Sequence, residues 1–195
     1  MTVTGKPGRP RSDRAHQALL QATRTLVVQH GYDGVTVEMI ARAAGTGRQT
    51  IYRRWPGKAE LVLDAFVDHA RVEVDAPAAA GSCEQAVTRF LERTFLALEE
   101  TGPALRSLMA HAQRDPGFRQ LFLDRFIEVR RNSLRRLLRQ GIDRGELPAD
   151  AAIEAAVSAL YGALWYRLLL GEVLDHAYAQ QLATLILNGL QPRFR

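Results

Sequence analysis

The stretch Thr36-Val-Glu-Met-Ile-Ala-Arg-Ala-Ala-Gly45-Thr-Gly-Arg-Gln-Thr-Ile-Tyr-Arg53 decides the architecture. Thr36 is a side-chain cap for a short helix over Val37 to Ala44, and Gly45 permits the left-handed backbone that a tight bend needs. Small residues at 41, 43 and 44 let this helix cross closely against a second short helix ending near Arg53. In that second helix Ile51 faces inward. Two outward rows are then left one turn apart, Arg48 with Tyr52 and Gln49 with Arg53. The run Asp33-Gly34 followed by Val35-Thr36-Val37 would also suit a hairpin, but no second alternating run follows it. The reading is therefore two short helices joined by a turn, and the alternative is an ordinary helix pair with a polar outer face.

The same periodicity extends in both directions. Upstream, Leu19, Ala22 and Leu26 mark a first helix from Ser12 that stops at Gly31. Residues 1–11 form a basic arm, read as disordered. Downstream, a longer helix starts around Lys58 with the inward stripe Leu61, Val62, Ala65 and Phe66. Residues 75–82 hold Pro, Gly and small side chains without an apolar period, and mark a seam. Beyond it helices are expected at 83–101, 104–113, 116–141, 149–171 and 175–190. No strand-length alternation appears, so the fold class is all-α: a three-helix head with its connecting helix over 12–74 and a helical body over 83–195.

Charge separates the two parts. Residues 1–60 carry ten Lys/Arg against four Asp/Glu, so a chain of net +5 concentrates its basic excess in the first third. A field segregated in this way attracts a polyanion to one end. A membrane surface would need apolar anchors beside the charges, and the run Lys6-Pro-Gly-Arg-Pro-Arg11 has none. Double-stranded DNA is the partner that fits both the charge and the bend. Arg48 and Gln49 suit bidentate bonding to guanine and adenine edges, with Arg53 in the outward row beside Gln49. Thr36, Thr50, Tyr52 and Lys58 suit phosphate contacts that set register, and Arg9 and Arg11 of the arm extend the basic surface.

Three stretches, Gly31-Tyr-Asp-Gly-Val-Thr-Val-Glu-Met-Ile-Ala41, Ala44-Gly45 and Thr50-Ile-Tyr-Arg-Arg-Trp-Pro-Gly-Lys-Ala-Glu-Leu61, resemble the head of tetracycline-repressor (TetR) family regulators over residues 12–66. Ala163-Leu-Trp-Tyr-Arg-Leu-Leu-Leu-Gly171 and Gln113-Arg-Asp-Pro116 resemble one of the family's C-terminal bodies less closely. The resemblance implies a homodimer that binds a near-palindromic operator through its third helix and is released when a ligand enters the body. Gly47 and Gly57 depart from the family pattern, which has a capping Ser at each place; one hydroxyl contact to phosphate is in question at each.

The body concentrates aromatic side chains. Phe95, Met109, Phe122, Phe126, Tyr161 and Trp165 suit an apolar cavity for a small apolar or aromatic effector, with His111 and Arg125 as orienting polar groups; core packing is the plainer account of any one of them. The last two helices are apolar on more than one face, through Val157, Leu160, Leu164 and Leu168 on one and Leu182, Leu185 and Ile186 on the other. A twofold copy would cover such a pair as a four-helix bundle, and the alternative is that both helices are central within one chain. The single cysteine, Cys83, suits a reducing, cytoplasmic setting, and the uncharged run Ala155 to Tyr166 is too short to cross a bilayer. No phosphate loop, nucleophile elbow or dinucleotide fingerprint points to an enzyme, and the spacing of the five histidines points to no metal or cofactor. An effector-responsive repressor is the reading favoured, and a non-inducible or architectural DNA-binding dimer is the alternative.

Overall fold

A computed structural model describes residues 9–74 and 81–191, with side chains over 13–69 and 81–191. Among the described residues the chain is nine α-helices and one π-helical turn, with no strand. The head comprises α1 (Arg9–His30), α2 (Val37–Ala43), α3 (Arg48–Tyr52) and α4 (Lys58–Val74). The body comprises α5 (Cys83–Arg114), α6 (Pro116–Phe122), the π-helical turn Leu123–Ile127, α7 (Glu128–Asp143), α8 (Ile153–Leu170) and α9 (His176–Gly189). Helix α1 begins three residues before the expected Ser12. Pro10 is tolerated there because the first turn of a helix needs no backbone N–H.

Local rules account for most boundaries. The Thr36 side chain accepts from the Met39 N–H at 3.2 Å, and Gly45 takes φ +63°, so the cap and bend of the motif form as its residues require. Helix α5 opens on a capping box: Ser82 Oγ accepts from the Gln85 N–H, and Gln85 Oε1 accepts from the Ser82 N–H, both at 3.2 Å. Asp115 and Asp175 cap α6 and α9 through the N–H groups of Phe118 and Tyr178.

Two departures concern the body. The expected break at 101–104 does not occur, and α5 runs 32 residues through Pro103. Gly102 has no Cβ to collide with the proline ring, and its bare backbone lets Leu168 of α8 approach to 3.1 Å of where a Cβ would stand. The expected single helix over 116–141 instead contains the π-helical turn. One extra residue per turn there re-aims the side chains that follow. Helix α8, at 18 residues with Glu154 and Arg167 near its ends, is by length and composition apolar enough to span a bilayer, longer than its uncharged core implied. Its stripe Val157, Leu160, Leu164 and Leu168 is nevertheless buried inside the body.

The head core gathers Leu19, Val27, Val35, Ile40, Ile51, Trp55, Leu61 and Phe66, all nearly inaccessible. The head docks on the body through the turn after α1. Tyr32 N–H donates to Ser107 Oγ at 2.7 Å, and its ring packs on His111 and Phe118 with centroids 4.4 and 4.7 Å away.

Candidate nucleic-acid interface and effector region

Helix α3 stands on the buried Ile51 and presents Arg48, Gln49, Tyr52 and Arg53 to solvent, with Thr50 half-buried between them. The two outward rows expected from spacing are therefore present. Arg48 is not idle: its guanidinium donates to Glu38 of α2 at 2.5 Å and holds that carboxyl below the usual carboxylate range. The guanidinium keeps further N–H donors that a base edge could meet beside this carboxylate. Glu38 had no motif to betray it; its role follows from the crossing of α2 and α3. The side chains of Arg9 and Arg11 lie outside the described residues.

Lys58 has a structural function beside any phosphate contact. Its Nζ donates to the Tyr32 and Val35 carbonyl oxygens at 2.9 and 3.0 Å and sits 4.0 Å from the Tyr32 ring centroid. Burial lowers its pKa, partly offset by Asp33, and the same burial pushes the Tyr32 phenol up to about 12 with help from Asp115, Asp33 and Glu60. An ammonium has three N–H donors, so one remains for an incoming phosphate.

Both polar residues expected to orient a ligand also make contacts across the seam between head and body. His111 Nδ1 pairs with Asp33 at 2.8 Å, and Arg114 binds the other oxygen of the same carboxylate. Arg125, carried by the π-helical turn, donates to Asp64 Oδ1 of α4 at 3.1 Å, while Trp55 Nε1 donates to Asp64 Oδ2 at 2.8 Å. Asp64 thus divides its two oxygens between the residue just beyond α3 and the body. Trp55 also stacks on His16 at 5.3 Å. A cleft of about 360 Å³ opens beside this junction, lined by His16, Leu20, Asp64, Val67, Arg125 and Val129.

The aromatic candidates divide into two groups. Phe118, Phe122 and Phe126 stack in parallel one helical turn apart, at 6.2 and 5.4 Å, and Arg130 caps the row 5.3 Å from the Phe126 centroid. Tyr161 lies beside Arg130, and Met109 and Trp165 are partly buried against the same core. Phe95 is elsewhere. It stacks on Tyr178 at 6.0 Å and lines a separate cavity of about 340 Å³ with Leu98, Pro103 and Leu168.

Most of the side chains expected at a dimer face are already covered within the single chain. Val157, Leu160, Leu164, Leu168 and Leu182 are buried within the single chain, and Ile186 is half-buried; of the seven, Leu185 alone is well exposed. The i, i+3, i+4 stripe on α8 serves the chain's own core, and large apolar side chains elsewhere on and between the last two helices stay exposed. There Tyr166, Leu169, Leu170 and Val173 join Leu185 as large apolar side chains open to solvent.

Comparison with known proteins fits this geometry. Residues 19–65 match the family described as bacterial regulatory proteins, tetR family, and residues 77–186 match the tetracyclin repressor-like C-terminal domain. The HTH-type transcriptional regulator YdeS of Bacillus subtilis is 32% identical over 190 residues, spanning 97% of this chain and 96% of that one. The chain belongs to the TetR family. The HTH-type transcriptional regulator AqdR of Rhodococcus erythropolis is 27% identical over 192 residues, covering 95% of this chain and 90% of that one. The crystal structure of the TetR family regulator SCO0332 superposes with TM-score 0.73 at 26% identity, covering 92% of this chain and all of the other. A TetR-family regulator from Rhodococcus sp. shares the fold at TM-score 0.76 and 22% identity, with 92% and 100% covered. As a TetR-family transcriptional regulator the protein binds DNA, and α3 presents an exposed polar face.

Proposed function

We propose that this regulator is a ligand-responsive repressor that binds a near-palindromic operator as a homodimer and is released when a small apolar or aromatic effector enters the body. The observation that carries this reading is the direct bracing of the DNA-reading head by the body. Asp33 is held by His111 and Arg114, and Asp64 joins Trp55, just after α3, to Arg125 of the body. A body that changes shape around Phe122 and Phe126 moves the turn carrying Arg125, and with it α4 and the setting of α3. Arg48 and Gln49 read bases in this proposal, while Thr36, Thr50, Tyr52, Arg53 and Lys58 hold the backbone, with Arg9 and Arg11 of the arm 1–11 adding phosphate contacts. Head and body divide as 12–74 and 83–195, and the protein works in the cytoplasm.

Two heads must reach successive major grooves, about 34 Å apart, so an effector acts by favouring another head separation. Linkage makes the coupling reciprocal: whatever factor the effector costs operator affinity, operator costs effector affinity. The homodimer is formed by the exposed face of α8 and α9. The test is fluorescence anisotropy with duplexes from the promoters flanking the gene, with and without aromatic compounds selected by thermal shift. The reading predicts tight, salt-sensitive binding that a bound compound weakens. Binding indifferent to every compound that binds the protein would instead indicate a non-inducible dimer.

A further inference from the structure

The row of stacked rings ends at a buried hydroxyl that lacks an acceptor. Phe118, Phe122 and Phe126 occupy one face at successive turns, and Arg130 continues that face above Phe126. Beside Arg130, on α8, the Tyr161 hydroxyl is buried and, among the described residues, has no acceptor for its proton. Burial pushes this phenol up to about 12, against the opposing influence of Arg130 and Arg131, so its O–H is intact at neutral pH. A guanidinium has donors and no acceptor, so Arg130 can give a hydrogen bond to the Tyr161 oxygen but cannot receive its proton. Buried polar groups in folded proteins almost always find a partner, and one that does not asks for an explanation.

The geometry points to Tyr161 and Arg130 as an acceptor-binding subsite, and hence to an effector that is an aromatic acid: an apolar ring against the phenylalanines with a carboxylate on Tyr161 and Arg130. This rests on the reading of the body as an effector site and gives that effector a chemical class. A carboxylate satisfies the Tyr161 donor and accepts from the guanidinium at once, which a hydrocarbon cannot do and an amine opposes. Arg131 adds to the positive field, although Glu128 at 3.0 Å already pairs with it. The opposite end of the row, Phe118, touches Tyr32 and His111 on the seam, so an occupant at Tyr161 presses on a continuous stack that reaches the head.

The test is calorimetric titration of the full-length protein with naphthoate, methylnaphthalene and naphthylmethylamine, which share a ring and differ in the polar group. The subsite predicts naphthoate at least about tenfold tighter than methylnaphthalene, and tighter still than the amine. Tyr161→Phe deletes only the oxygen and keeps the ring, so it should abolish the advantage of naphthoate while methylnaphthalene binds as before; Arg130→Gln should act in the same direction. Equal binding of naphthoate and methylnaphthalene, preference for the amine, or an undiminished naphthoate preference in Tyr161→Phe overturns the subsite and leaves the effector region standing. Failure of all three ligands to bind the wild-type protein overturns both.

Discussion

Replacing Leu185 by Glu should convert the proposed homodimer into monomers, whereas shortening Leu164 should not, although both leucines lie on the last helix pair. Leu185 is 69% exposed in the single chain and Leu164 only 2%. Fully burying a leucine side chain yields about 1.5–3 kcal/mol, so Leu185 has roughly 1–2 kcal/mol left to gain from a partner. Twofold symmetry places the change on both sides, which makes the loss about 2–4 kcal/mol per dimer, or about 30- to 700-fold in Kd at about 1.4 kcal/mol per decade. Facing carboxylates would add a desolvation cost. Tyr166→Glu, at 63% exposure on the other helix of the pair, should act alike. Leu164→Ala removes packing from the chain's own core and should lower unfolding stability by about 2–5 kcal/mol while leaving association intact. Sedimentation across a dilution series, paired with thermal melting, separates the outcomes. Dimers of wild-type affinity in both Leu185→Glu and Tyr166→Glu would refute the assignment of this face.

Within the head, Arg48→Ala and Gln49→Ala should each relax base preference at defined operator positions by about 1–3 kcal/mol, checked by anisotropy against single-base variants of the site. Lys58→Met should weaken binding to all sequences alike and also lower the melting temperature, because it strips the Tyr32 and Val35 carbonyls of their donor. Asp33, kept below the usual carboxylate range chiefly by its hydrogen bond from Arg114, contributes stability that is complete above 3.8 and fades as pH falls through its lower folded value. The melting difference between wild type and Asp33→Asn should therefore shrink on acidification below 3.8; a difference that grows would contradict the seam.

The head was legible because its information is local. Thr36 as a cap, Gly45 as a left-handed turn and Ile51 as the inward residue each depend on neighbours within four positions, and each is where spacing placed it. The body was less legible because its decisive contacts are distant in sequence. Pro103 reads as a helix break until the space left by Gly102 is known to admit α8. The contacts of His111 and Arg125 with the head are invisible in the sequence because nothing near them in the chain announces Asp33 or Asp64, which are 78 and 61 positions away. Helix α8 is apolar on every side, so periodicity could establish that two faces are needed but not which one the chain keeps for itself. In the sequence Tyr161 is one aromatic among several; its buried hydroxyl without an acceptor among the described residues, visible in the fold, distinguishes it.

The most direct test of the central claim is selection of operator DNA from a randomised duplex pool by the full-length protein, followed by sequencing of the bound fraction. A dimeric reader using α3 should enrich a two-fold symmetric motif with half-sites about one helical turn apart, and the Arg48→Ala/Gln49→Ala double variant should lose that motif while keeping salt-sensitive binding to DNA at large. An enriched motif that survives unchanged in the double variant would contradict the account, as would the enrichment of none by the wild-type protein.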